Sequence, residues 1–153
     1  MRAHHLIAFL TVAAMQAGLP AHADPDRANR DEAIAMVKRA VVHLNEAGRD
    51  KAFADFGNRE GAFVDRDLYV VVYDLTGRCL AHGANAKLIG KDLSDAEDID
   101  GKLYIRERME LAKTNKSFWQ DYKFTNPVNK KVEPKQMYCQ VEQDLAVCGG
   151  VYK

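Results

Sequence analysis

The sequence predicts an α+β domain in which a long N-terminal helix packs across a five-stranded antiparallel sheet. Three observations predict it: apolar residues at helical spacing over residues 31–44, a β-branched hairpin over 68–82, and three more strand-like runs between 118 and 152.

Ile34, Val37, Val41 and Leu44 recur every three or four residues and line one helical face, with Gly48 as the stop. A shorter helix is expected over 50–56, with Phe53 and Phe56 on one side and Gly57 ending it. Residues 68–74 are β-branched and aromatic, Leu75-Thr76-Gly77 supply a turn, and 78–82 form the returning strand. The aspartate-rich run 90–101 reads as a loop, and Leu103, Ile105, Met109 and Leu111 then mark a helix over 103–113. Strands are expected at 118–124, 135–142 and 145–152.

Residues 1–23 read as a signal peptide: Arg2 gives the positive start, residues 6–19 the apolar stretch and Ala21-His22-Ala23 the small-residue cleavage site. Gln16, Gly18 and Pro20 interrupt the run before it reaches the ~18 residues of a membrane span. The mature chain, 24–153, then has the size of one exported domain, periplasmic or secreted. Losing Arg2 leaves 21 basic against 22 acidic residues, and this near-neutral balance gives no footprint for nucleic acid or a membrane surface.

In an oxidising compartment Cys79, Cys139 and Cys148 can form one disulfide and leave one thiol. If Gln143 and Asp144 form a two-residue hairpin loop, counting outward sets Cys139 opposite Cys148 as a non-hydrogen-bonded pair, with Cα atoms about 4.5 Å apart. Cys79, on the first hairpin, is the competing partner.

No zinc-ribbon, redox or haem spacing is present, no serine has a nucleophile-elbow context, and the aspartates do not follow the order of a calcium loop. No catalytic residue, metal or cofactor is nominated. The last two histidines after the leader, His43 and His82, fall on a helix and at a strand end. Solvated turns with helix-capping aspartates account for Asp92, Asp95, Asp98 and Asp100.

The richest segment is 119–138, which crowds aromatics, two prolines and a lysine into strand, loop and strand and so suits a pocket wall. Trp119 and Tyr122 have opposite parity, whereas Tyr122 shares a face with Phe118 and Phe124. Either set faces the pocket. Tyr122 offers a ring and a hydroxyl, Trp119 and Phe124 exclude water, and Tyr69 and Tyr73 share a face that is pocket or packing. Lys135 and Tyr138 conflict in the same way.

The runs Asp-Leu-Tyr-Val-Val-Val-Tyr-Asp-Leu-Thr-Gly at 67–77, Ala81-His82, Leu-Ile-Gly-Lys-Asp-Leu at 88–93, Asp-Ile-Asp-Gly at 98–101, Asp-Tyr-Lys-Phe-Thr-Asn-Pro at 121–127, Val-Glu-Pro-Lys at 132–135, Tyr138 and Gly-Gly-Val-Tyr at 149–152 resemble the single Cache domain. That resemblance implies a PAS-like extracytoplasmic sensor fold whose curved sheet holds a small molecule. It also implies pocket roles for His82, otherwise a structural imidazole, and for Lys135, otherwise exposed, as the cation for a carboxylate. Family members are commonly joined to receptors through transmembrane helices. This chain ends straight after its last strand, so the expectation is a freestanding periplasmic binding protein. It would take a small organic ligand, with a short carboxylate as the expected class, without catalysis.

The alternative is an interaction protein that docks on a membrane sensor, and the N-terminal helix is a candidate homodimer surface. N-terminal sequencing of exported protein should begin at Asp24, the residue after the Ala23 cleavage site. Membrane-bound material that retains Met1 would overturn the export reading.

Overall fold

The computed structural model describes residues 24–153, so the expected signal peptide lies outside it. The helices are α1 Arg30–Ala47, α2 Arg49–Gly57 and α3 Tyr104–Thr114. The strands are β1 Val64–Asp65, β2 Leu68–Asp74, β3 Cys79–His82, β4 Ser117–Thr125, β5 Val132–Glu142 and β6 Leu145–Tyr152.

A capping box starts α1: the Asn29 side chain accepts from the Glu32 amide while the Glu32 carboxylate accepts from the Asn29 amide. Gly48 ends it at φ 79°, a backbone state that glycine reaches without a Cβ clash, and α2 follows at once.

Five strands pair antiparallel in the order β3-β2-β6-β5-β4, and the two-residue β1 adds to the outer edge of β2. The central strands β2 and β6 are buried on both sides, and their alternation splits the interior in two. Leu68, Val70, Val72, Leu145, Val147 and Val151 meet α1 and α2, whereas Tyr69, Val71, Tyr73, Ala146 and Cys148 lie on the α3 side. The α3 side is the inner face that holds the candidate site.

The third helix turns Tyr104, Ile105, Arg108, Met109 and Ala112 inward. The sequence pattern chose Leu103 and Leu111 for that face, but Leu103 stands before the first turn and Leu111 is half-buried. The expectation that aspartates cap this helix also fails, since Leu103 occupies the cap without a side-chain bond. Asp98 instead accepts from the amides of Asp100 and Lys102 and, with its other oxygen, from the Lys123 amide 3.0 Å away. It pins the loop to β4.

The β5–β6 hairpin has the register the sequence implied, with Glu142 opposite Leu145 and Cys139 opposite Cys148. Those two cysteines are disulfide-bonded with Cα atoms 4.1 Å apart, and closing so short a loop contributes about 2–3 kcal/mol. Cys79 stays a buried thiol, its pKa raised to about 12 by burial.

Gly149 and Gly150 serve opposite layers of β6. A Cβ at Gly149 would lie 3.1 Å from Val37 of α1, whereas one at Gly150 would lie 2.8 Å from both the Gln136 carbonyl oxygen and Lys135 Cε. The stem of Lys135 therefore crosses the sheet in the space a side chain at 150 would take. Gly150→Ala should destabilise the domain by about 2 kcal/mol through overpacking, more than Gly149→Ala, where the contact is looser. Urea titration of both variants checks the order, and equal stabilities would refute the crossing.

Candidate ligand site on the inner face of the sheet

Lys135 lies directly opposite Tyr122 on β4 and Tyr152 on β6, so register alone brings three polar side chains to one face. Its Nζ donates to Tyr69 Oη at 2.8 Å and to Tyr152 Oη at 3.2 Å, and the amine is wholly buried. Tyr152 Oη donates its own hydrogen bond to the Thr125 carbonyl oxygen at 2.8 Å. The Tyr69 hydroxyl proton has only Tyr152 Oη, 3.4 Å away, as an acceptor among the described residues. That contact is long, so Tyr69 is the hydroxyl available to a ligand.

Burial pulls the Lys135 pKa well below the ordinary lysine value, and the Arg108 charge adds to the fall while Asp67 opposes it. Asp67 is itself interior: one oxygen accepts from the Ala28 amide at 2.8 Å and the other has no hydrogen-bond partner among the described residues. Burial raises its pKa.

His82 joins this face because the β2–β3 register slips at Leu80, which leaves Val71 opposite His82 and Tyr73 opposite Cys79. The imidazole stacks on Tyr69 with centroids 5.1 Å apart. Its Nδ1 accepts from the amides of Ala84 and Asn85 at 3.2 and 3.0 Å, which places the proton of the neutral ring on Nε2. Burial, with the charges of Lys135 and Arg108, lowers the His82 pKa to about 3, so the ring is a neutral donor at physiological pH.

Arg108 is the residue sequence reasoning missed. Its side chain is fully buried, Nε donates to Gln120 Oε1 at 2.9 Å, and Gln120 donates onward to the Tyr104 carbonyl at 2.8 Å. The rings of Tyr122, Tyr73 and Tyr104 surround the guanidinium at 4.9, 5.3 and 5.6 Å. Burial opposes its charge, but the phenols around it hold its pKa above the usual value. Tyr122 lies close enough to share that charge, yet neither η nitrogen has a hydrogen-bond partner among the described residues. Burial raises the Tyr122 pKa to about 12 while Arg108 works the other way. The clue in the sequence was a charge at Arg108 between Tyr104, Ile105 and Ala112 on the inward stripe of α3.

Six of the eight residues expected at the site, Tyr69, Tyr73, His82, Tyr122, Phe124 and Lys135, share this face. Trp119 and Tyr138 do not. They oppose each other three positions along the β4–β5 ladder from the Tyr122–Lys135 pair, an odd offset that sends both to the α1 side, where their rings sit 5.2 Å apart and the Arg30 guanidinium caps Trp119 at 4.0 Å. Strand parity, which set Trp119 against Tyr122 and Lys135 against Tyr138, puts Tyr122 and Lys135 on the inner face and Trp119 and Tyr138 on the other.

A cavity of about 380 Å³ opens beside the cluster, lined by Tyr69, His82, Phe124 and Thr125 inside and by Arg59, Lys87 and Lys130 at its mouth. A larger cleft of about 720 Å³ lies on the surface between Lys38, Lys113 and Tyr138, away from the interior polar groups. Among the described residues no three His, Cys, Asp or Glu side chains gather as metal ligands, and no helix is long and apolar enough to cross a membrane.

The fold is one shared with sensory domains. The chain belongs to the single Cache domain 2 family, whose model matches residues 11–146, beginning inside the apolar N-terminal stretch. Cache domains are sensory ligand-binding domains rather than catalysts. The structure is similar to that of a methyl-accepting chemotaxis protein from Vibrio parahaemolyticus, with a TM-score of 0.69 at 21% identity over 80% of this chain and 86% of that one. It is also similar to the periplasmic sensor domain of a chemotaxis protein, with a TM-score of 0.64 at 25% identity over 80% and 88%. A third similar structure is a Cache chemosensory domain described for carboxylic acid recognition, with a TM-score of 0.68 at 23% identity over 80% and 91%. No curated protein matches the chain.

Because the His82 pKa falls from an ordinary 6.5 to about 3 in the fold, folding favours the neutral ring. Its contribution is fully present above pH 6.5 and is lost as pH falls toward 3, by up to about 1.4 kcal/mol per pH unit. His82→Asn, whose amide oxygen can replace Nδ1 as acceptor, should flatten the stability profile between pH 6 and 4. An unchanged slope in urea titrations across that range would remove His82 as its source.

Proposed function

We propose that this chain is a periplasmic sensor domain that binds a short organic carboxylate between Arg108 and Lys135, beside Tyr122. The observation that carries the reading is Arg108: a guanidinium with no exposure and two partnerless η nitrogens is costly to bury unless an anion completes it. Its planar fork suits a carboxylate bidentately. Tyr122 lies directly opposite Lys135 and its ring is 4.9 Å from Arg108 Cζ, so an anion beside that ring is in reach of both bases. Tyr104 and Tyr122 stack 4.8 Å apart over the guanidinium, and admitting the ligand requires the Tyr122 ring to yield. The carboxylic acid recognition described for a Cache domain of the same fold supports this ligand class.

The protein groups have separable tasks. Arg108 supplies charge and direction, the Tyr69 hydroxyl and His82 Nε2 donate, and Phe124 shields the bonds from water. An arriving carboxylate favours the protonated form of Lys135, whose pKa burial has lowered, so affinity should fall as pH rises through that pKa.

Calorimetry with two- to four-carbon monocarboxylates tests the assignment. Arg108→Met should weaken binding by about 2–5 kcal/mol, as expected when one partner of a buried charged pair is truncated. The same variant should unfold at equal or higher denaturant concentration without ligand, because an unpaired interior charge is gone. Lys135→Ala should cost binding about 1.5–3 kcal/mol. Wild-type affinity in both variants would place the anion elsewhere.

A further inference from the structure

The inner groups account for one carboxylate, and beside them, past Tyr69, His82 and Phe124, the cavity opens to a mouth of a different character. Arg59 lies between α2 and β1, Lys87 in the 3-10 turn Ala86–Leu88, and Lys130 in the β4–β5 connection. All three line the 380 Å³ cavity, and Arg59 and Lys130 also line the adjoining one of about 160 Å³ together with Arg66.

No aspartate or glutamate lines either cavity. Elsewhere the surface is laced with ion pairs, and Arg66 itself is held by Glu32 and Asp65, but Arg59, Lys87 and Lys130 take part in none among the described residues. Arg59 donates to the Ala84 carbonyl and Lys130 to the Pro127 carbonyl. Those bonds station the two cations at the rim and leave each with further donors, since a guanidinium carries five and an ammonium three. Three like charges converging without a counter-ion repel one another, and an anion at the rim relieves that repulsion.

The size points the same way. The cavity falls within the ~300–1,000 Å³ range of sites that bury a substantial ligand, more than a two- to four-carbon acid fills. Between the two charged ends lie the Phe124 ring and the Tyr69 and His82 rings, an apolar and hydrogen-bonding middle.

We propose that the ligand is a dianion, with its carboxylate at the inner end of the site and a second anionic group, carboxylate or phosphate, held at the mouth by Arg59, Lys87 and Lys130. This rests on the carboxylate reading of the inner site and adds the charge and reach of the ligand's far end. Rim cations also draw such a ligand in by long-range attraction, which salt screens.

The test compares straight-chain monocarboxylates with α,ω-dicarboxylates of three to eight carbons and with ω-phosphonocarboxylates, by calorimetry at low and high salt. Wild-type protein should bind one chain length of the dianions at least tenfold tighter than the matched monocarboxylate, with the preference shrinking in high salt. The triple variant Arg59→Gln, Lys87→Gln, Lys130→Gln changes only exposed side chains and should lose that preference while keeping monocarboxylate affinity within about twofold. A dicarboxylate or phosphonate preference alone identifies the outer group. Equal affinity for mono- and dianions in wild type, or a preference that survives in the triple variant, overturns the proposal and leaves the inner site standing. Failure of every anion to bind removes the inner site and the dianion with it.

Discussion

A guanidinium held inside the protein with no carboxylate in contact is the constraint around which the α3 side of the sheet is arranged. Arg108 sits on the inward stripe of α3, so three tyrosine rings and Gln120 must face it from β2, β4 and the helix itself. Its charge reaches Lys135 and His82 and adds to the larger effect of burial in lowering the pKa of both. The Lys135 amine is in turn fastened to two tyrosine hydroxyls, one of which is anchored to the backbone at Thr125. An interior so rich in donors and so poor in acceptors is stable only as far as packing and cation–π contacts compensate.

Much of the architecture was legible because it follows from periodicity and counting. The two-residue loop at Gln143 and Asp144 fixed the β5–β6 register and with it the cysteine pair, since nothing between loop and disulfide interrupts the ladder. The Lys135 and Tyr122 pairing had the same origin but could not be aligned in advance, because the β4–β5 connection is long and sets no register. Trp119 was drawn toward the pocket by its chemistry, whereas parity sends it to α1 and Arg30. Arg108 escaped notice because arginine on a helix is ordinarily solvated, and only the inward face of α3, settled by tertiary packing, marks it as interior. His82 reaches the site through a slipped register at Leu80, which strict alternation does not contain.

Family membership and site chemistry answer different questions. Cache sensors share the sheet, the long helix and the sensory role, and similar structures at 21–25% identity speak to the fold. What a particular domain recognises depends on side chains that the fold positions but does not prescribe. The split between a deep polar end and a charged rim is a property of these residues.

The tandem glycines of β6 have a bearing on how this sequence can drift. Position 149 answers to Val37 on one layer and position 150 to the Lys135 stem on the other, so adjacent residues are tied to different parts of the chain. A lineage that gains a side chain at 150 must shorten or redirect residue 135 in the same step, and in doing so it discards the amine that organises Tyr69 and Tyr152. Change at that glycine and change at residue 135 are therefore coupled events, and a bulkier residue at 150 requires the polar cluster on the inner face to be rebuilt.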